Sequence, residues 1–445
     1  MEDIRNMFML TKDDLEKIVS KALEEMENGL QGRASTLQMI PTYAPIPTGN
    51  ETGKFIGIDI GGTNMRIIYL DLPSPGVRGE LQTIESVMPK NSHTNDEFFG
   101  YIANKLKSFV YTHKLENESI KAGLTFSFAV NQEAINKGEL VGWSKGWDIK
   151  EAIGKDVVKL ITEQMIKIDL KNVEIVALIN DTVGTLINLA YDDPSCGMGI
   201  IFGTGTNGCY IEKTSNICAQ KMRSVCKEEF IVINTEWGGL DFKEFKRNKF
   251  DLMIDEVSVN KGSQKYEKLI SGIYLGWLSR LVIRELMQKK VCFERYLEKE
   301  VFSDEPDDTH FDESRKFFSR HTEITEDTTE NLSRVQVILE KLGVTDSTLE
   351  ERKILKEVCT LVVKRSGYLA SAVTVALYRK MSSYLSSRST AGIDGTVYQK
   401  SVPFKKYYIE GLDLLQPQDK IMCQLSKDGS GLGAVISAAA VSWKQ

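Results

Sequence analysis

The sequence predicts an α/β protein built from two similar domains that face each other across a cleft. Strand-like and helix-like segments alternate between residues 55 and 180, which is typical of α/β layers around a central sheet. This region opens with "FIGIDIGGTNMRIIYLDL", in which an apolar strand, a glycine turn and a second strand follow one another. The same plan returns at residue 196 in "CGMGIIFGTGTNGCYIEK". Two halves with the same opening indicate two domains descended from one plan.

The elements of the first half follow from local patterns. Residues 11–30 have apolar side chains at helical spacing, and Thr11 with Asp14 forms a capping box, so a helix is expected here. The next loop contains prolines and ends at "TGNETG", which predicts a hinge between units. Gly61 and Gly62 turn the first hairpin. After it we expect a helix in "EFFGYIANKLKSFVYTH", a strand in "KAGLTFSFAV", a helix in "IGKDVVKLITEQMIK" and a strand in "VEIVALIN".

The second half begins with a helix in "TVGTLINLAY" and the second glycine-turned hairpin. The polar, acidic segment 303–331 predicts a solvated surface excursion. A core helix is expected over residues 364–385, and "AGIDGTVYQK", residues 391–400, predicts a hairpin with a glycine turn. The chain ends with "KDGSGLGAVISAAAVSWK", a glycine loop that runs into a helix of small residues.

Composition excludes several classes of function. The chain has 445 residues and a formal net charge of -6, so a general affinity for nucleic acid or anionic membranes is not expected. Seven cysteines without a C-x-x-C pair and only four histidines fit neither a zinc scaffold nor a disulfide scaffold. We find no secretory signal and no apolar run long enough to span a membrane. A reducing, cytoplasmic location is therefore expected.

The first glycine turn has two interpretations. Glycine in a sheet either provides a tight turn or lets another group approach the backbone closely. In the second case the amides of Gly61 to Asn64 form a phosphate cradle, and Asp59 holds a hydrated cation. Neither of the usual glycine-rich nucleotide motifs is present at this position, and the residues alone leave both interpretations open.

Two other glycine motifs are candidates for binding anions. "GTGTNG", residues 203–208, matches G-x-G-x-x-G, but the following "CYIEK" alternates like a strand, so the pattern favours a hairpin turn over a dinucleotide-binding loop. Its backbone amides and the Thr204 hydroxyl still suit a phosphate. In "DGSGLGAVISAAAV" the glycines precede a helix, whose N-terminal amides attract anions or simply accept a cap.

Polar residues in four further segments are ambiguous when each is taken alone. Asn180 and Asp181 end a strand before a helix, which is either a ligand site at a sheet edge or an ordinary helix cap. "GWSKGW" has a lysine between glycines and aromatic residues, and "NTEWGG" and "QKYEKLISG" each have a glutamate beside an aromatic residue. Only the combination of these segments, in this order, is informative.

As an ordered set, these motifs resemble the eukaryotic hexokinase family, which belongs to the actin-like sugar kinases. The resemblance covers nearly the whole chain and implies a two-lobed actin-like ATPase (ribonuclease H-like) fold, with a mixed central sheet flanked by helices in each lobe. Residues 53–181 and 428–445 are then the small lobe, and residues 1–52 and 182–427 the large lobe. The matching segments are "MIPTYAPIPTGNETGKFIGIDIGGTNMR", "LTFSFAVNQ", "GWSKGW", "NDTVGT", "GTGTNGCYIE", "NTEWG", "YEKLISGIYLG", "DGTVY" and "DGSGLGA".

The resemblance implies ATP-dependent phosphorylation of a hexose, glucose above all, at its 6-hydroxyl, which is the first step of glycolysis. Asp181 matches the family's general base, and Lys145 matches the lysine that contacts the sugar and the transferred phosphoryl group. Both roles suit phosphoryl transfer, which needs alignment, a base and neutralised charge. The residues that match the family's sugar site are Ser127, Ser144, Lys145, Asn180, Asp181, Asn207, Glu236 and Glu267.

The implied cofactors are ATP and Mg²⁺. In the family the first glycine turn binds phosphates, which favours the cradle interpretation, and Asp59 then faces magnesium through water. Arg66 is expected near the reacting phosphates. The residues that match the nucleotide site are Asp59, Gly61, Gly62, Thr63, Asn64, Arg66, Gly203, Thr204, Gly205, Gly395, Thr396, Gly429 and Ser430.

The chain departs from the family pattern at three places. Ala129 replaces the usual proline, Ser144 replaces a threonine, and Thr206 to Gly208 replace "CNA". The hexose preference, including mannose or fructose, is therefore open, as is the choice between monomer and homodimer. Two rival functions are a catalytically idle sugar sensor and an ATPase that shares only the phosphate hairpins, and an ADP release assay with and without hexose separates all three.

Overall fold

The computed structural model describes residues 1–89, 92–143, 147–224, 226–245, 247–298 and 323–444. Within this part of the chain, thirteen strands form two large sheets and one two-stranded sheet. The strands are β1 (Ile40–Pro41), β2 (Gly53–Ile60), β3 (Asn64–Leu72), β4 (Leu81–Val87), β5 (Ile120–Phe126), β6 (Ala129–Ala134), β7 (Lys137–Gly142), β8 (Val173–Ile179), β9 (Cys196–Phe202), β10 (Thr206–Lys213), β11 (Phe230–Asn234), β12 (Thr390–Asp394) and β13 (Met422–Leu425).

The two large sheets share one connectivity. In the first sheet, of order β4-β3-β2-β5-β8, β2, β3 and β4 are antiparallel neighbours, while β5 and β8 run parallel to β2. In the second sheet, of order β1-β11-β10-β9-β12-β13, the strands β9 to β13 repeat this arrangement. Both predicted glycine-turned hairpins are confirmed, and the shared plan of the two halves extends to five strands each.

Helices cover the sheets, and the predicted N-terminal helix is present with the Thr11 and Asp14 capping box. Apolar side chains from these helices and the sheets form three buried clusters in the described residues. The helices are α1 (Glu2–Phe8), α2 (Lys12–Leu30), α3 (Asn95–Thr112), α4 (Val157–Lys167), α5 (Asp181–Asp192), α6 (Lys249–Val257), α7 (Glu267–Ile270), α8 (Gly272–Gln288), α9 (Ser333–Lys341), α10 (Leu349–Ser382), α11 (Thr396–Lys400), α12 (Val402–Leu415) and α13 (Gly429–Trp443).

Two expectations about secondary structure are corrected. Residues 391–400 do not form a hairpin, because β12 runs parallel to β9 and the chain continues from Gly395 into α11. Gly395 has φ +107, and a Cβ there would lie 2.4 Å from the carbonyl oxygen of Phe202. A glycine turn thus joins a strand to a helix here. At the C-terminus, the glycines from Gly429 form the first turn of α13 instead of a loop before it.

The expected core helix is confirmed as part of α10, which starts well before residue 364. By length and composition α10 can cross a bilayer, but 78% of its most apolar window is buried inside the protein, as in a core helix. Most of the acidic segment 303–331 lies outside the described residues. Near its end Thr328, Glu330 and Asn331 are exposed, as a surface excursion requires, but Asp327 is buried and accepts hydrogen bonds from the amides of Thr329 and Val335.

The close approach of α5 and α13 positions both candidate sites. A Cβ on Gly433 of α13 would lie 2.2 Å from the carbonyl oxygen of Gly184 in α5, so the two backbones are in contact. On its other side α13 packs against the first sheet, where a Cβ on Gly123 would lie 1.9 Å from the carbonyl oxygen of Ala434. The small residues of α13 are therefore a packing requirement. The helices begin at Asp181 and Gly429, within the predicted sugar and nucleotide segments.

We predict that Gly433→Ala lowers the free energy of unfolding by about 2 kcal/mol or more, because the new methyl group overlaps backbone atoms that cannot move aside. Gly100→Ala in α3 is the matched control. Its Cβ would meet only the Oε1 atom of Gln164, at 3.6 Å, so the better helix propensity of alanine should raise stability by about 0.5–1 kcal/mol. Urea unfolding followed by circular dichroism measures both. A Gly433→Ala variant as stable as the wild type would contradict the close crossing.

Candidate active site

The first glycine turn is held on its inner side by hydrogen bonds to backbone carbonyls. The amide of Gly61 donates to the carbonyl of Asn64 at 2.9 Å, and the amide of Met88 donates to the carbonyl of Thr63 at 2.8 Å. The indole nitrogen of Trp147 donates to the carbonyl of Gly62 at 2.8 Å. No atom of the described residues accepts from the N–H groups of Gly62 and Thr63. The turn therefore offers two backbone donors to an anion, as a phosphate cradle requires.

Asp59 is the centre of a charged network beside this turn. Its Oδ2 atom accepts from Arg66 Nη2 at 2.5 Å, from Arg66 Nε at 3.1 Å and from the Ser430 hydroxyl at 2.9 Å. Arg66 Nη1 also donates to Asp428 at 3.1 Å. Burial alone would lower the pKa of Arg66, but the nearby carboxylates, Asp59 first among them, raise it. The network joins β2, β3 and the start of α13 around one permanent positive charge.

Asp394 extends this network to the second sheet, and the sequence predictions did not include it. Its Oδ1 atom accepts from the Gly395 amide at 2.6 Å, and its Oδ2 atom accepts from the Gly429 amide at 3.1 Å. Burial raises the pKa of Asp394, against the opposing effect of these hydrogen bonds and of Arg66. One carboxylate thus links the strand end at Gly395 to the helix start at Gly429. The sequence contained one signal for this role, because Asp394 directly precedes Gly395, which was predicted to bind the nucleotide.

The second glycine turn lies next to Gly395. The Gly203 amide donates to the Gly205 carbonyl at 2.9 Å, and the Gly203 carbonyl accepts from the Gly272 amide at 2.9 Å. A Cβ on Gly203 would lie 3.6 Å from the Cα of Gly395. The predicted nucleotide residues Asp59, Arg66, Gly203, Gly395, Gly429 and Ser430 therefore form one contiguous group with Asp394. The side chain of Asn64 donates to Glu85 at 2.6 Å and takes no part in this group.

On the sugar side, Glu236 is fixed by two amides. Its Oε1 atom accepts from Asn234 Nδ2 at 2.6 Å and from Asn207 Nδ2 at 3.0 Å. The Oδ1 atom of Asn207 in turn accepts from the Gly208 amide at 2.7 Å. The predicted pair Asn207 and Glu236 is thus brought together. Asn234, which was quoted in "NTEWGG" but not predicted as a site residue, completes the cluster.

Two backbone features place the glutamates of this side. Glu236 has φ 53, in the left-handed region that non-glycine residues rarely occupy, directly before the short turn at Trp237 to Gly239. Glu267 starts α7 and accepts from the Thr206 amide at 3.1 Å. A Cβ on Gly205 would lie 2.7 Å from Glu267 Oε2. The second glycine turn is therefore in direct contact with Glu267, a predicted sugar-site residue.

Asn180 and Asp181 lie at the start of α5. Asn180 Oδ1 accepts from the Val183 amide at 3.0 Å and from the Thr182 hydroxyl at 2.9 Å, so the capping interpretation is correct for Asn180. The amide nitrogen of Asn180 is therefore the end of its side chain that a ligand can meet. Asp181 Oδ1 accepts from the Thr182 amide at 2.8 Å, which orients the half-buried carboxylate.

Capping does not remove Asn180 from the candidate sugar site. Asn180, Asn234 and Glu236 line one pocket between the first and second sheets, together with Phe128 and Ala129. The amide of Ser127 donates to the carbonyl of Ile60, which places Ser127 beside the first glycine turn. Ser144 and Lys145 lie outside the described residues.

The described side chains suit a hydrated magnesium ion with one or two protein ligands better than a metal ion that is enclosed by protein side chains alone. Among the described residues no group of three or more His, Cys, Asp or Glu side chains can hold a metal. Mg²⁺ in phosphoryl-transfer sites usually keeps several waters and takes only one or two carboxylates, with phosphates as the other ligands. Asp59, which is 7% exposed beside the phosphate cradle, meets that requirement.

Comparisons with known proteins identify the family to which the chain belongs. Family models described as hexokinase match residues 1–191 and 197–440. Hexokinase of Schistosoma mansoni is 34% identical over 98% of this chain and 96% of its own length, and hexokinase-1 of Saccharomyces cerevisiae is 34% identical over 99% and 91%. The mouse protein hexokinase HKDC1 is 33% identical over 99% of this chain, which spans only 47% of that relative.

A solved structure has the same fold. The structure of Schistosoma mansoni hexokinase complexed with glucose aligns with a TM-score of 0.82 at 33% identity, over 98% of this chain and 97% of the other. The resemblance in motifs, the two-lobed α/β architecture and the matches over nearly the full length agree. The chain belongs to the hexokinase family.

Proposed function

We propose that the chain transfers the terminal phosphoryl group of ATP to the 6-hydroxyl of a hexose, with glucose as the first candidate substrate. The observation that supports the proposal is the contact of α5 and α13: a Cβ on Gly184, three residues after Asp181, would lie 3.0 Å from the Cα of Ser430, whose hydroxyl donates to Asp59. A carboxylate beside a hydroxyl-binding cluster and a set of phosphate donors are the parts that this reaction needs. The named relatives and the glucose complex of one of them support the choice of substrate.

The hexose is held by groups whose polarity the structure defines. Asn180 presents an amide donor, because its oxygen is already used by Val183 and Thr182. Glu236 presents a carboxylate that Asn207 and Asn234 hold in place. Sugar hydroxyls both donate and accept, so fixed donors and acceptors in one pocket select a particular arrangement of hydroxyls. Asp181 accepts the proton of the 6-hydroxyl as its oxygen attacks, and Lys145 and Ser144 complete the site from the "GWSKGW" segment.

The nucleotide lies along the two glycine turns and the start of α13. ATP with Mg²⁺ supplies the phosphoryl group and part of the charge neutralisation. The backbone donors of Gly62 and Thr63 and the hydroxyls of Thr204 and Ser430 bind phosphate oxygens, and Arg66 places its charge beside them. Asp59 holds the magnesium ion through water.

The lobes are residues 53–181 with 428–445 and residues 1–52 with 182–427. The packing of α13 on the first sheet and the pairing of β1 with β11 in the second sheet support these boundaries. Because the sugar pocket is lined from both sheets, hexose binding favours closure of the cleft. Closure excludes water, which would otherwise compete with the sugar as phosphoryl acceptor.

We predict that Asp181→Asn lowers kcat by at least about 10²-fold, because the variant keeps the Oδ1 acceptor for the Thr182 amide but loses the base. Binding of glucose should persist, weakened by no more than about tenfold. A coupled assay of ADP release and calorimetry with glucose measure the two effects. Asp192→Asn, at the exposed end of the same helix, is the control and should keep the wild-type kcat. Normal turnover by Asp181→Asn would remove Asp181 from the role of base.

We predict that Glu236→Gln weakens glucose binding by about tenfold or more, because the new amide can place a donor against the donors of Asn207 and Asn234 and removes a charged acceptor. Calorimetric titration with glucose measures this loss. Glu229→Gln, an exposed change near the start of β11, is the matched control and should bind glucose like the wild type. Equal affinity of Glu236→Gln and the wild type would exclude Glu236 from the sugar site.

A further inference from the structure

Trp147 connects an aromatic cluster to the first glycine turn. Its indole N–H donates to the carbonyl of Gly62 at 2.8 Å, and the side chain is only 7% exposed. The ring packs edge to face on Phe98, with centroids 4.9 Å apart. A buried indole usually needs a hydrogen-bond partner, but this partner belongs to the loop that faces the nucleotide. The hydrogen bond from Trp147 therefore also restrains the backbone of the first glycine turn.

The hydrogen bond determines which way one peptide unit of the turn faces. In a planar trans peptide the C=O of one residue and the N–H of the next point in opposite directions. Because the Gly62 carbonyl points inward to Trp147, the Thr63 N–H points outward. No described residue accepts from that N–H, and Thr63 is exposed. The outward side of the turn is the side on which an anion can bind.

Other aromatic rings connect Trp147 to the sugar pocket. Phe98 also packs edge to face on Trp143 at 5.0 Å, and Trp143 packs on Phe128 at 4.9 Å. Phe128 lines the pocket that contains Asn180 and Glu236. A continuous row of aromatic rings therefore runs from the sugar pocket to the indole that orients the phosphate turn. Such a row has few ways to rearrange without breaking edge-to-face contacts.

We propose that Trp147 is a positioning residue for phosphate binding, which holds the Gly62–Thr63 peptide with its N–H directed at the nucleotide phosphates. The inference rests on the proposed function, because it assumes that phosphates bind at this turn. Without the indole donor the Gly62 carbonyl loses its buried partner, and glycine permits the peptide to rotate. The turn then no longer presents the Thr63 N–H in advance, and phosphate binding has to reorder it.

The experiment compares Trp147→Phe with Trp143→Phe. The two indoles pack on the same ring, Phe98, and both donate to a backbone carbonyl, but the acceptor of Trp143 is Ile149, outside the turn. Calorimetry measures the binding of a non-hydrolysable MgATP analogue, adenosine and glucose to each full-length variant. We expect Trp147→Phe to weaken the ATP analogue by about fivefold or more, and adenosine and glucose by less than about twofold. Trp143→Phe keeps an aromatic ring between Phe98 and Phe128, loses only the hydrogen bond to Ile149 and should keep the wild-type affinity for the ATP analogue. An equal loss of affinity in this variant would show that ring packing, and not the hydrogen bond from Trp147 to Gly62, controls phosphate binding, and would overturn the inference.

Each remaining outcome decides between the proposals. If Trp147→Phe binds the ATP analogue like the wild type, or loses adenosine affinity equally, Trp147 does not position the phosphate turn. If the wild type binds neither the ATP analogue nor glucose, the proposed function itself fails. Should Trp147→Phe not fold, 3-benzothienylalanine at position 147 keeps the two-ring shape and replaces the N–H with sulfur. The same loss of phosphate affinity is expected there, and its absence would overturn the inference.

Discussion

The contact between the backbones of α5 and α13 is the constraint on which the rest of the structure depends. Gly184 and Gly433 remove the side chains that would separate the two helices, and glycines in β2 and β5 let α13 lie equally close to the first sheet. One helix begins at the candidate base and the other at the candidate phosphate site. A rigid crossing a few residues from both starts fixes their separation, which in-line transfer between two bound molecules requires.

The charged groups of the candidate nucleotide site are arranged around Arg66. Arg66 faces Asp59, Asp428 and Asp394, although the expected ligand is itself a polyanion. Before a nucleotide binds, these carboxylates satisfy the arginine and the backbone donors of the helix starts, so the buried groups are not left unpaired. In the proposed function, a phosphate exchanges with partners that are already in place. On the sugar side, Glu236 likewise already has hydrogen-bond partners, because the side-chain amides of Asn207 and Asn234 donate to it.

Local patterns predicted most of the fold, because hairpins, helix periodicity and capping boxes depend on residues close in sequence. The hairpin expected at residues 391–400 was wrong, since a glycine after a strand does not reveal whether the next segment pairs back or turns into a helix, and β12 pairs with the distant β9. Asp394 and Asn234 were missed as site residues because their roles come from partners in other elements. The bond from Trp147 to Gly62 joins residues far apart in the chain and leaves no periodic signal.

The backbone conformation of Glu236 lowers the stability of the fold at the candidate site. A glutamate in the left-handed region is less stable there than glycine by roughly 1 kcal/mol, since its Cβ crowds the backbone. Glycine at this position would relieve that strain, but it would also remove the carboxylate that accepts hydrogen bonds from Asn207 and Asn234. A library meant to harden this scaffold against heat should therefore leave codon 236 untouched, because glycine there exchanges one strained dihedral angle for lost hydrogen bonds and discards a proposed sugar ligand.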